Sequence, residues 1–264
     1  MSFVRSKGAI LASLIMPLTA GCTATEEPKN PAPVIETAEA QIPLPSLEEI
    51  ANQEGALAGI KRAIEDKQPD RAQELLESMN SMQKRTFDYH ILRAKTYCLM
   101  ADLAKVPIVF DSEMPKEDMI SAIKTASKSK FDLYETALAE YRLAKAIKDD
   151  VGIDKLIAVT YWQRHLSLFR PEDAKAAEQG FIGIIKKSPE QSDAYVLLGG
   201  IYVWYSKTTT SKPDKERYLT RAYMNFIEAE TRHKKRPLDE KMLQYVRESI
   251  KALKDKLPKE GVYH

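Results

Sequence analysis

Six times between residues 69 and 240 the chain sets a proline and, within three residues, one or more carboxylates: Pro69-Asp70, Pro115-Lys116-Glu117-Asp118, Pro171-Glu172-Asp173, Pro189-Glu190, Pro213-Asp214 and Pro237-Leu238-Asp239-Glu240. Proline has no N–H to lose at the first helical position, and a carboxylate there faces the positive end of the helix dipole. Each occurrence therefore marks a helix start. Between the marks apolar residues recur three and four apart, as in Leu133, Tyr134, Ala137, Leu138, Tyr141, Ala144 and Ile147, or Tyr218, Ala222, Phe226 and Ala229. Strand-like alternation is scarce. The spacing predicts an all-α body with helices at about 47–66, 69–80, 84–103, 115–128, 131–149, 152–168, 172–187, 191–206, 214–235 and 238–256. The stretch KVPIVFDSEMP at 105–115 breaks the pattern with Pro107 and β-branched residues, and reads as an extended or inserted loop.

Four of these helices share a small-x3-large-x2-apolar frame: Ala72/Leu76/Met79, Ala137/Tyr141/Ala144, Ala177/Phe181/Ile184 and Ala222/Phe226/Ala229. A small residue lets a neighbouring helix approach closely, and the larger one fills the gap a turn later. From 177 to 229 the frame is joined by Tyr195, Leu198, Gly199 and Tyr202 in SDAYVLLGGIYVWY. This stretch resembles the tetratricopeptide repeat, whose first helix carries an aromatic, Leu-Gly and Tyr at these spacings and whose second carries Ala, an aromatic and Ala. The departures are plain. The frame alanines stand 65, 40 and 45 residues apart, and SKTTTSKPDKER lies as an insertion between Tyr202 and Ala222. The resemblance implies an irregular helical-repeat solenoid over residues 46–258, followed by a short tail at 259–264.

The amino terminus follows different rules. Arg5 and Lys7 precede an apolar run from Ala9 to Leu18, broken only by Ser13 and Pro17, and Thr19-Ala20-Gly21-Cys22 comes next. That is the layout of an export signal, too short and too interrupted to span a bilayer as a stable helix. With Cys22 directly after the small residues it resembles the lipobox of bacterial lipoproteins, although Thr19 stands where that family usually has Leu. The resemblance implies removal of residues 1–21, acylation of Cys22 as the new amino terminus with palmitate-type chains, and, with Thr23 and not Asp following, sorting to the outer membrane with the body facing the periplasm. Each buried methylene contributes about 0.8 kcal/mol, so several chains hold where one is marginal. Residues 22–45 hold five prolines, Pro28, Pro31, Pro33, Pro43 and Pro45, and read as a solvated tether of about 50–70 Å at full reach.

Loss of Arg5 and Lys7 with the leader takes the basic count from 40 to 38, equal to the 38 acids. This balance argues against broad nucleic-acid binding, which needs a concentrated positive field. Cys98 is the second of two cysteines, so no disulfide framework is expected and the fold must rest on its core. Between Tyr97 and Leu99 it reads as a small buried residue more readily than as a reactive thiol. His90, His165, His233 and His264 form no i, i+4 pair with a second ligand, and GxSxG, GxxxxGK[ST], HExxH and CxxC are all missing from the sequence. We therefore expect no catalytic residues, no metal site and no cofactor. RHKKRP at 232–237 reads as cations complementing a helix C-terminus more readily than as an anion patch, and KTASKSK at 124–130 as a solvated helix end.

The aromatics carry the functional expectation. Tyr195, Tyr202, Trp204 and Tyr205 share one helix, with Tyr161 and Trp162 two helices earlier. In the repeat family the positions of Tyr195 and Tyr202 are buried, whereas those of Asp193, Val196, Gly200, Val203 and Trp204 line a concave groove. The resemblance thus implies a partner-binding row of Asp193, Val196, Gly200, Val203 and Trp204, with Trp204 as an apolar anchor for a peptide segment. Trp204 packed beneath the Thr208–Thr210 loop is the alternative. The expected function is a lipid-anchored adaptor that binds an envelope protein or peptide, similar in kind to pilotins, outer-membrane assembly factors or peptidoglycan-enzyme scaffolds. A solute-handling subunit like the T-components of TRAP transporters is the second reading, and a cell-wall enzyme the third.

Overall fold

The structure, a computed structural model, describes residues 47–104 and 116–257. Cys22, the leader, the tether, the 105–115 stretch and the 259–264 tail lie outside the described residues. Among the described residues there are nine α-helices, one 3-10 turn and no strand: α1 (Leu47–Glu65), α2 (Pro69–Ser78), α3 (Phe87–Leu103), α4 (Lys116–Ile147), α5 (Val151–Leu168), α6 (Pro171–Lys187), α7 (Ser192–Thr208), α8 (Lys212–His233) and α9 (Glu240–Lys254). The chain is all-α, as its periodicity indicates.

The proline marks fall at or near helix starts. Pro69 and Pro171 open α2 and α6, and Pro213 lies in the first turn of α8. Pro189 and Pro237 stand a few residues before α7 and α9; α7 has no side-chain cap, whereas at the head of α9 Asp239 Oδ1 accepts the Met242 N–H at 2.8 Å. The same device serves α5, where Asp150 Oδ1 accepts the Gly152 N–H at 2.6 Å, and α3, where the Thr86 hydroxyl accepts the Tyr89 N–H at 3.3 Å.

One expected boundary is corrected. The helices anticipated at 115–128 and 131–149 are a single 32-residue helix, α4, about 48 Å long at 1.5 Å per residue. KTASKSK contains neither proline nor glycine, so nothing in it stops a helix. The stretch is solvated at Lys124, Thr125, Lys128 and Ser129 but is not an end: Lys130 is buried and its Nζ donates to the Ala104 carbonyl at 3.4 Å, and Phe131 after it lies under two guanidinium groups, Arg164 at 4.7 Å and Arg170 at 4.6 Å. The joined α4 reduces ten expected helices to nine and lets them pair in chain order.

The helices pack as successive neighbours, most extensively within α3/α4, α5/α6 and α7/α8, with α1/α2 before them and α9 after. All twelve residues of the repeated frame are buried. The core runs as a chain of clusters: Ile60, Ala72, Leu76 and Leu92 at the amino-terminal end, then Ala94, Ala137, Tyr141 and Leu156, then a large cluster from Ala158 to Leu253. Such a quasi-one-dimensional core, each pair resting only on its neighbours, is what a helical-repeat solenoid requires.

Two glycines set the closest approaches. A Cβ at Gly199 on α7 would stand 2.9 Å from Phe226 Cε1 on α8, and one at Gly180 on α6 would stand 2.8 Å from Ala158 Cβ on α5. Gly199 is thus needed for contact with the large member of the α8 frame, not for backbone freedom.

Candidate functional site

Helix α7 is buried along most of its length, so the five expected partner residues differ in what they can present. Val196 and Gly200 are buried; Asp193, Val203 and Trp204 are half-buried. The row faces α5. At its amino-terminal end Asp193 Oδ2 accepts from Lys155 Nζ at 2.7 Å, an ion pair with both side chains largely covered. At its carboxy-terminal end Trp204 stands edge-on to His165, with ring centroids 4.2 Å apart, and to Trp162 at 6.2 Å. Tyr205 joins at 5.4 Å. The Thr208 hydroxyl donates to the backbone carbonyls of Trp204 at 3.2 Å and Tyr205 at 3.3 Å.

His165 is the residue that reading the sequence missed. It is buried, stacked on Trp162 at 5.2 Å and 23°, with its Nδ1–H donating to the Arg170 carbonyl at 2.6 Å. That bond fixes the tautomer: Nδ1 carries the proton and Nε2 is a lone-pair acceptor. Nε2 is buried and has no hydrogen-bond partner, and neither has Asp193 Oδ1 at the far end of the row. Burial holds the imidazole below the ordinary histidine range, against the raising effects of the Arg170 carbonyl, Asp173 and Glu172. The i, i+3 spacing of Trp162 and His165 could have placed both on one face of α5. Their meeting with Trp204, 39 residues on, could not be read from spacing.

Tyr202 and Tyr205 continue the aromatic surface toward α8, with Tyr218 at 6.3 Å and 5.1 Å respectively. The Tyr205 hydroxyl donates to Glu178 at 3.2 Å. Burial first, then Glu178, pushes the Tyr202 phenol up to about 12 and Tyr205 upward as well, so both stay neutral donors.

Other polar clusters hold the pairs together. Glu140 of α4 accepts from His90 at 2.7 Å and from Arg93 at 3.1 Å, both on α3. The Tyr134 hydroxyl donates to Asp102 at 2.5 Å and lies 3.2 Å from Ser167. RHKKRP closes α8: Arg232 bonds the Pro189 carbonyl at 2.6 Å and covers the Tyr195 ring, while His233 Nδ1 accepts the Leu238 N–H at 2.8 Å. Cys98 is buried 3.6 Å from the Thr160 hydroxyl, and burial pushes its thiol up to about 12. Among the described residues no group of three or more His, Cys, Asp or Glu side chains is placed to hold a metal ion, and no helix is long and apolar enough to cross a membrane.

What fold and surface together define is an all-α protein of stacked helix pairs with an aromatic row on its seventh helix. Comparison with protein families, curated proteins and solved structures finds no match to the chain.

Proposed function

We propose that the protein is a lipid-anchored adaptor of the bacterial envelope, fastened through Cys22 to the outer membrane, with a tetratricopeptide-like body that meets a protein or peptide partner through the α7 row. The observation that carries this reading is Trp204. It is one of two tryptophans in the chain, and with Val203 and Tyr205 it is half-buried at the end of a helix whose earlier positions are mostly buried. A rigid indole held by His165 and Trp162 loses little conformational freedom on binding, which is what makes tryptophan an effective anchor at interfaces. The anchor at Cys22 rests on the leader, and the work assigned to the body is recognition by surface, not bond-making.

Two experiments test the halves separately. Expressed in a diderm bacterium, the wild type should partition with detergent and the Cys22→Ser variant with the aqueous phase; an aqueous wild type overturns the anchor. The intact protein should recover one discrete envelope protein from crosslinked membranes, with recovery reduced at least tenfold in Trp204→Ala; equal recovery by both overturns the binding row.

A further inference from the structure

The α5/α7 contact contains a proton-sensitive part that the adaptor reading does not use. His165 is 1% exposed and boxed by the only two indoles in the chain, stacked on Trp162 and edge-on to Trp204. Its Nδ1–H is bound to the Arg170 carbonyl, and its Nε2 faces no donor. As a neutral ring it fits this place. A second proton would sit on Nε2 as an N–H with no oxygen or nitrogen to receive it, in a space closed to water.

The charged groups that face the ring decide whether the fold offsets that cost. From the α5–α6 turn comes Arg170, from the first turn of α6 Glu172 and Asp173, from α5 itself Arg164; α7 presents Trp204 with Tyr205 beside it. Asp173 is already bound by Arg164 through Nε at 2.8 Å and through the adjacent nitrogen at 2.6 Å, and by Arg170 at 3.3 Å; Glu172 is bound by Arg170. Both carboxylates therefore have cations of their own. What remains for an imidazolium is the indole faces, weaker partners than the water it would regain outside.

We propose that His165 is a proton-operated latch on the α5/α7 seam: neutral, it holds Trp204 in place, and on protonation it leaves the box and releases Trp204 to solvent. The device needs no unfolding of the helices, because the half-buried Trp204 and the buried His165 beneath it both lie near a helix end, within the last turns of α7 and α5. Trp204 also belongs to the row assigned to partner binding, so the latch would make that surface differ between neutral and acid medium. The latch itself stands without that reading, since it is measured on the protein alone.

Tryptophan emission of the intact protein, followed from pH 8 to pH 4.5, reads the latch directly because both indoles touch the ring. The expected result is a reversible shift to longer wavelength with a one-proton slope and a midpoint below 6.5, while the far-ultraviolet circular dichroism stays constant. His165→Phe keeps an aromatic ring in the box and removes the proton, so the shift should vanish; Trp204→Phe should remove the larger part of it and leave the smaller response of Trp162, which loses its stacked ring. A shift that survives in His165→Phe, or one accompanied by loss of helix signal, overturns the proposal. Should His165→Phe fail to fold, the histidine NMR titration of the wild type decides: one of the four imidazoles must titrate below 6.5 together with the emission change, and its titration at or above 6.5 contradicts the latch.

Discussion

Two junctions in this molecule hold helices together by opposite means. Where α7 meets α8 the contact is apolar: Gly199 admits Phe226, and Leu198, Tyr202, Ala222 and Ala229 close around them. Where α4, α5 and α6 meet the contact is charged: Arg164, 4% exposed, binds Asp173 through two nitrogens and Glu135 through a third contact, and lies over Phe131 and Tyr161. The first gains from dispersion and from apolar area taken out of water. The second gains little net free energy over an apolar equivalent, because burying both ions costs nearly what their attraction returns. The two should therefore answer mutation differently, even where the first loss is of similar size.

The largest effects come from breaking each junction by one residue. Asp173→Ala leaves the buried Arg164 guanidinium without its main partner and should lower unfolding free energy by about 3–5 kcal/mol in urea titrations. Phe226→Ala opens a cavity beside Gly199 and should cost a similar 3–5 kcal/mol. Second substitutions then separate the two. Arg164→Met with Asp173→Leu should recover most of the charged-junction loss, since a packed apolar pair replaces a desolvated ionic one. Gly199→Ala in the Phe226→Ala background should recover only the small part that one methyl can fill. Equal recovery at both junctions would erase the distinction.

A smaller pair of changes sharpens the same comparison. Gly199→Ala alone forces a methyl against the fully buried Phe226 ring and should cost about 1–3 kcal/mol, less the gain in helix propensity. Gly183 on α6 has open space where a Cβ would be, so Gly183→Ala should stabilise by up to about 1 kcal/mol. Thermal unfolding of the two variants side by side should show midpoints moving in opposite directions.

The next effect depends on pH. Burial sets the folded-state pKa of His165 below its ordinary value of 6.5. The folded protein then binds fewer protons there than the unfolded chain, so this contribution is intact above the unfolded value and is lost as pH falls below about 6.5. Stability should drop from pH 7 to pH 5 more steeply in wild type than in His165→Phe. The smallest expected effect is none at all: with its thiol pushed up to about 12, Cys98 should stay unmodified by iodoacetamide at pH 8 in the folded protein and react only as the chain unfolds, read by peptide mapping.

These contrasts also show what the sequence displayed and what it hid. The apolar junction was legible because its signal is local: small and large residues at i, i+4 and i+7 must lie on one face of one helix, and every member of the repeated frame is buried. The charged junction was hidden because its members come from three helices, and Glu135, Arg164 and Asp173 each look like ordinary surface residues until the helices pack. Lys130 misled for the same reason. In KTASKSK it reads as solvated, yet it reaches the Ala104 carbonyl at the end of α3. On α7 the resemblance pointed to the row from Asp193 to Trp204 but not to the burial of Val196 and Gly200 within it, and the box around His165 needed the position of α5, which no spacing within α7 contains.

The account rests on the α7 row meeting another protein, and site-specific photo-crosslinking in living cells tests that most directly. A photoreactive side chain at Val203, half-buried beside Trp204, is compared with one at Met224, which is exposed on α8. The account predicts one discrete adduct from Val203 that is lost in the Trp204→Ala background, and no such adduct from Met224. Adducts of the same pattern from both positions, or none from Val203, would contradict it.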